Sequence, residues 1–315
     1  MKKICILFAA MCCVLMAGAT EGALTGGFTV DAHGKQVQFS KGNLQYVGSW
    51  QFASNQWDII GNNQSDNNRD LFGWGTGKAP NKVSTSAADY ATYDEWGANR
   101  ISNGGNADSL WYTLTKYEWA YLFHERAGAA SRIGFGHITF EGTTVGGIIL
   151  IPDWWRNPYG LADFQSFEDV GYTWTSGDNP YYSTDGDFND NGYSADDWRN
   201  KMEPSGAVFL PAVGFREGAN ADWVNVEGYY WSSTPSGNGS NAFFTRFNET
   251  ILDPSSDDHR NYGMAVRLVQ DYTGGGTGCQ QVMGEKLRAV KRVINGQIVI
   301  VRDGKMFNAI GQEIQ

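Results

Sequence analysis

The sequence predicts an α+β fold of many short antiparallel strands with two short helices and a small C-terminal β-hairpin piece. Three observations carry this expectation. Short segments rich in aromatic and β-branched residues alternate with breakers of Ser, Gly, Asn, Asp and Pro, most plainly between Glu227 and Val269. There Tyr229 to Ser233, Ala242 to Asn248, Thr250 to Leu252 and Gly263 to Val269 read as strands joined by loops, including a loop from Ser255 to Tyr262. Aromatic residues make up 14% of the chain and glycine 40 of its 315 residues, a mixture of anchors and turn formers that suits short strands better than long amphipathic helices. Two stretches carry a helix start with helical apolar spacing behind it, Thr115 with Glu118 and Ser194 with Asp197.

The first residues read as a secretion signal. Lys2 and Lys3 precede an apolar run from Ile4 to Met16 and an A-x-A site at Ala17-Gly18-Ala19, so cleavage after Ala19 is expected. The run is too short to span a bilayer. A lipoprotein reading through Cys12 or Cys13 is the rival, and the residues before them lack the usual Leu-small-small pattern. Gly26 to Tyr46 alternates apolar and polar residues around Asp31-Ala-His-Gly-Lys35, as a hairpin does. In the aromatic pieces that follow, Trp57, Phe72, Trp74 and Trp96 are expected to be core and loop anchors rather than a stacking platform.

At Thr115 a capping box opens a helix in which Trp119, Ala120, Phe123 and Ala127 recur at helical spacing until Gly128. His137 to Ile151 is strand-like with a turn within Gly142 to Gly147, and 156–191 reads as acidic loop. Ser194 caps a second helix with Trp198 and Met202 four apart, and Gly206 to Gly214 begins the last β segments. The body is expected over 20–270 and a Gly-rich linker over 271–284. A tail over 285–315 has hairpin turns at Asn295-Gly296 and Asp303-Gly304.

Several blocks carry a resemblance. SKGNLQY from Ser40, DLFGWGT from Asp70, W-x-TLT-x-x-EW from Trp111, GAVFLPA from Gly206, GYYWSS from Gly228 and VRLV from Val266 occur in the order found in a paralogous family of secreted Bacteroidetes and Fibrobacter proteins. The ending resembles that of a C-type-lectin-like domain of the formylglycine-generating-enzyme type. The resemblance implies a C-type-lectin-like fold, with loop-rich antiparallel sheets flanked by the two helices and strands from both chain ends meeting. The tail is similar to those of Bacteroidetes surface proteins, which implies secretion machinery as a reader of the tail; a structural β-hairpin is the alternative.

Charge and cysteine content narrow the function classes. The formal net charge is -10, and loss of Lys2 and Lys3 makes the mature chain about -12. An acidic body argues against nucleic acid or anionic membrane as partner, while the tail is locally basic. Cys279 is the sole cysteine after the signal, so no intramolecular disulfide is expected, and the cysteine pair of formylglycine-generating enzymes has no counterpart. His33, His124, His137 and His259 make no zinc-ligand spacing, and no nucleophile elbow or phosphate loop appears. Paired carboxylates for a hydrolase would have to converge in space, so that class stays open at this point.

No cofactor is required by these patterns, and calcium is the metal one loop could take. Asp185, Asp187, Asn189 and Asn191 place oxygen ligands at every second residue before Gly192, although Trp198 stands where a bidentate Glu belongs; a solvated acidic turn is the alternative. Glu203-Pro204-Ser205 reads as a strand lead-in. The N-x-S/T triplets at Asn63, Asn238 and Asn248 read as plain loop residues.

Strand alternation separates Phe243, Thr245 and Phe247 from Phe244, Arg246 and Asn248. With the second set facing outward, a ligand surface is expected from Trp223, Asn225, Asn238, Asn241, Phe244, Arg246, Asp257, His259, Arg260 and Tyr262, with Trp231 in the core. The expected function is a non-catalytic secreted or surface-exposed binding protein, adhesin-like, recognising a glycan or a surface protein. A structural component of a fimbria-like assembly is the alternative, and a carboxylate-based hydrolase a third. The residue types of the last strands are also those that retroelement diversification yields.

Overall fold

The computed structural model describes residues 21–272, apart from 106, 178 and 185–187, and the strands between 290 and 314. The expected signal segment, Cys279 and most of the expected Gly-rich linker lie outside the described residues. The chain divides into two compact units, Met1–Gly275 and Gly276–Gln315. The class is mixed α+β: mostly short strands in loop-rich antiparallel sheets, with a few short helices.

In the larger unit one sheet runs Phe28–Thr29, Gln36–Phe39, Leu268–Asp271, Tyr112–Thr113, so strands from the two ends of the unit pair, with Val269 opposite Phe39. The first hairpin turns at Asp31, whose carboxylate accepts from the amides of His33 and Lys35, while Gly34 adopts φ +83°. A second sheet has Ile133–Phe140 and Thr143–Leu150 at its centre, with Val208–Pro211 antiparallel on one side and Gly192–Ser194 parallel on the other. Its hairpin turns at Glu141 (φ 49°) and Gly142 (φ +79°), the geometry of a two-residue turn with both central residues left-handed. The expected turn within Gly142 to Gly147 is thus corrected to its leading edge. Gly146 and Gly147 are strand residues, and a Cβ on Gly146 would stand 2.1 Å from the Phe188 ring.

A third sheet runs Gly228–Pro235, Asn241–Asn248, Ile251–His259, Tyr181–Ser183, Thr173–Thr175. The expected loop over Ser255 to Tyr262 is corrected: pairing with Asn241–Asn248 continues to His259, opposite Asn241. A bulge between Phe244 and Arg246 takes up Pro254, and the Asp253 carboxylate accepts from the Ser255 amide and the Ser256 hydroxyl. Gly263 to Val269 is not one strand; Met264 and Ala265 make single bridges to Phe72 and Tyr230 before Leu268–Asp271 joins the first sheet.

The Thr115–Glu118 capping box is present, and Lys116–Ala120 passes into a π-helical turn at Tyr121–Glu125 that ends before Gly128. Ser194 likewise caps Ala195–Asp197, followed by a π-helical turn at Trp198–Met202. Within the stretch expected to be loop, Ser166 and Asp169 cap a further helical turn, Phe167–Val170, beside the strands Thr173–Thr175 and Tyr181–Ser183.

Both faces of the third sheet are covered. Phe247, Tyr230 and Leu252 pack with Trp119, Phe123 and Phe135 on one side. On the other, Phe244 and Trp231 pack with Trp50, Phe72, Trp74, Trp96 and Trp111. Trp57 joins Trp198 and Phe209 in a further cluster. A buried polar bridge links distant parts: Arg267 donates to Asn43 Oδ1 at 3.3 Å and Gln56 Oε1 at 3.0 Å, and Gln56 donates in turn to Glu203 Oε2 at 3.0 Å.

The smaller unit is a four-stranded antiparallel sheet of Val290–Ile294, Gln297–Arg302, Lys305–Asn308 and Glu313–Ile314. Ile294 stands opposite Gln297 and Arg302 opposite Lys305.

Candidate functional site

The face of the third sheet that carries Trp231 and Phe244 is buried at its centre and open at one end. Tyr229 stands opposite Arg246 there, with the guanidinium 5.8 Å from the ring centroid. Phe215, brought in by the Phe215–Glu217 strand, lies edge-on to Tyr229 at 5.3 Å and against Tyr262 at 5.4 Å. His259 meets the Tyr262 ring at 5.8 Å. These part-exposed side chains form a continuous strip from Arg246 to His259.

Glu227 fixes the Arg246 end. Its carboxylate accepts from Arg246 Nε at 3.1 Å and Nη2 at 3.3 Å, from Asn248 Nδ2 at 3.0 Å, and from the Tyr229 hydroxyl. Burial pushes this carboxyl up, but the donors Tyr229, Asn248 and Arg246 outweigh it and hold the carboxyl below its ordinary value. Burial and the Glu227 hydrogen bond both raise the Tyr229 hydroxyl, so it stays a donor.

Trp223 and Asn225 sit just before this strand with φ of 58° and 61°, a region few non-glycine residues occupy. The local chemistry holds them there. The amides of Val226 and Glu227 donate to Trp223 O, and the Asn225 amide donates to Ala212 O at 2.7 Å. The Asn225 side chain accepts from Gly146 N and donates to Thr144 O. Trp223 is left 56% exposed.

Other expected ligand residues are placed differently. Phe244 is 4% exposed because its face is covered by Trp231 and Tyr229, which corrects its assignment as a surface anchor. Arg260 is 6% exposed, lies 4.5 Å over the Trp74 ring and donates through Nε to Asn241 O, which corrects its assignment to the ligand surface. Asn238 closes its own turn by accepting from Ser240 N and Asn241 N, and Asn241 donates to Asp257 at 3.2 Å. The strip therefore brings together Arg246, Tyr262 and His259, with Asn241 and Asp257 beside His259 on the paired strands. The part of Phe215 escaped the sequence reading because it arrives from a separate strand. That of Glu227 could have been found from its place two residues before Tyr229.

For the calcium loop, Asp185 and Asp187 lie outside the described residues. Asn191 is buried, with Oδ1 accepting from Gln165 N and Nδ2 donating to Phe135 O and Gln165 O, so its amide is already a structural clamp. This corrects its assignment as a metal ligand. Among the described residues no three His, Cys, Asp or Glu side chains converge as a metal site would require. Depressions among the described residues include one of about 230 Å3 beside Trp74, Lys82 and Tyr90 and one of about 330 Å3 beside Leu161, Gln165 and Tyr193.

Residues 165–269 match one family model. It is described as Domain of unknown function (DUF8237), and the matched span holds the strip, Glu227, Trp223 and the Asn191 clamp. No curated protein and no solved structure matches the chain. Among the described residues no helix is long and apolar enough to cross a membrane.

Proposed function

We propose that this is a non-catalytic binding protein, secreted or surface-exposed and adhesin-like, whose ligand is a neutral glycan or a surface protein. The observation that carries the reading is Trp223, a large indole held more than half exposed on a left-handed backbone. Such strain persists where surrounding structure enforces it, and here the Asn225 clamp does so.

The resemblance of the blocks around Gly228 and Val266 to C-type-lectin-like domains supports the same reading, as does the signal-like N-terminus. Arg246, the cation of the strip, is matched by Glu227, and Asp257 and Asp258 flank the other end, so an uncharged ligand fits better than an anionic one.

A screen of immobilised glycans and surface proteins with the purified mature chain, beside Trp223→Ala, Arg246→Ala and Tyr262→Ala, tests this. Binding that all three variants weaken supports the site. Unchanged binding moves the site elsewhere, and concentration-dependent polymerisation without ligand favours a structural subunit of a surface assembly.

A further inference from the structure

Asn103-Gly104, Asn191-Gly192 and Asn238-Gly239 are alike in sequence and unlike in the fold. A glycine after asparagine leaves the following main-chain nitrogen unshielded by a side chain, so that nitrogen can reach the asparagine amide carbon and displace ammonia. Two of the three pairs are held against this. Asn103 accepts from Phe52 N through Oδ1 at 2.8 Å and donates from Nδ2 to Phe52 O at 3.0 Å, while Gly104 is buried and its amide donates to Ile101 O at 2.9 Å. Asn191 is 5% exposed, and its Nδ2 donates to Phe135 O at 2.7 Å and Gln165 O at 2.8 Å. In both, the nitrogen that would leave is tied to main-chain carbonyls, and ring closure would break those bonds.

Asn238-Gly239 is arranged the other way. It stands at the tip of the hairpin between Gly228–Pro235 and Asn241–Asn248, where Ser236 N donates to Asn241 O at 3.0 Å and the residues from Gly237 to Ser240 are all exposed. Asn238 Oδ1 accepts from Ser240 N at 3.0 Å and from Asn241 N at 2.8 Å. These donors fold the side chain over the residues that follow it, and both point at the oxygen on which negative charge develops when the amide carbon is attacked. Among the described residues nothing accepts from Asn238 Nδ2. The attacking nitrogen is loosely held, since Gly239 N reaches Ser236 O only at 3.5 Å. Gly239 has φ +79°, and apart from its chain neighbours no heavy atom lies within 4 Å of where a Cβ on it would stand, so the tip has room to close a ring.

We propose that Asn238 is a self-modifying site. Gly239 N attacks the Asn238 side-chain carbon and gives up its proton to the departing nitrogen, which leaves as ammonia, and a cyclic imide forms. Water then adds to either imide carbonyl and the C–N bond there breaks, giving aspartate or, with the main chain rerouted through the side-chain carbon, isoaspartate. Either product sets a new carboxylate close in sequence to Asn241, which stands opposite His259. The site does not rest on the ligand reading. Peptide mapping by mass spectrometry tests it, with the full chain held at mildly alkaline pH in heavy-oxygen water, folded and, in parallel, unfolded in guanidinium. In the folded chain the label is expected at Asn238 first, at a rate at least about tenfold above that at Asn103 or Asn191. In guanidinium the three rates are expected to converge, with Asn238 no faster than when folded. Asn238→Gln, whose ring would need one more atom, should carry little label there. An excess at Asn238 below that margin, or slower conversion of Asn238 in the folded chain than in guanidinium, overturns the proposal.

Discussion

Glu227 holds Arg246 by two hydrogen bonds, to Nε at 3.1 Å and to Nη2 at 3.3 Å, across the Gly228–Pro235 and Asn241–Asn248 strands. The carboxylate is 7% exposed while Arg246 is half-buried, so the two partners are unequal. Arg246→Ala leaves Glu227 with the Tyr229 and Asn248 donors, whereas Glu227→Ala strips three donors at once. We expect Glu227→Ala to destabilise by about 2 kcal/mol and Arg246→Ala by under about 1 kcal/mol. Denaturant unfolding of both variants and the double mutant measures this; equal losses would contradict the asymmetry.

The folded Glu227 carboxyl lies below its ordinary value, so the stability it contributes is present at neutral pH. That contribution is lost as pH falls below the ordinary glutamate range and through the depressed folded value. Thermal melts of wild type and Glu227→Gln should therefore converge as the solution is acidified below about pH 4. A gap that stays constant down to pH 2 would sink this expectation.

Asp70 has the opposite sign. Burial raises its carboxyl to about 6, against opposing hydrogen bonds from Ile60 and Gln64. A raised value contributes stability below the unfolded value, and this is lost as pH rises from about 4 through 6. Relative to wild type, Asp70→Asn should gain stability over that window by on the order of 3 kcal/mol. A pH-independent difference between the two proteins would show that the carboxyl titrates normally.

Trp223 couples presentation to backbone strain. Trp223→Gly should relieve about 1 kcal/mol of left-handed strain, partly offset by unfolded-chain entropy, and so melt no lower than Trp223→Ala. Both should lose ligand binding alike. A markedly less stable glycine variant would mean that the indole contributes packing.

Trp231 is fully buried, donates from its indole nitrogen to Phe72 O at 2.7 Å and meets Phe244 edge-on. Trp231→Ala should destabilise by roughly 3 to 5 kcal/mol. Asn191→Ala should cost about 1 to 3 kcal/mol by orphaning the Phe135 and Gln165 main-chain groups, with or without calcium. Calorimetry in calcium and in chelator checks this; an effect confined to calcium would restore Asn191 as a ligand.

Local chemistry was legible in the sequence where it is self-contained. The Thr115–Glu118 box and the Asp31 turn need only neighbours a few residues away, and large indoles such as Trp57 and Trp96 have little alternative to burial. The alternation of Phe243 against Phe244 was readable too, but not that both faces are covered, since Phe244 is buried by groups as distant in sequence as Phe72 and Trp111. The run Asp253-Pro-Ser-Ser-Asp-Asp has loop propensity throughout. It is a strand because the bulge and the Asp253 turn let it keep register with Asn241–Asn248. Part of the candidate site was hidden for the same reason, because Phe215 joins Tyr229 and Tyr262 only through tertiary packing.

The Leu268–Asp271 strand lies between Gln36–Phe39 and Tyr112–Thr113 in its sheet. One of the two interior strands of that sheet is thus among the last segments of the larger unit to be synthesised. Until it arrives, Phe39 and Thr113 have no ladder between them, and closing so long a loop comes late and slowly in folding. A chain emerging N-terminus first, as in synthesis, therefore holds this sheet open until nearly all of the unit is available, and the last strand acts as the latch that closes it.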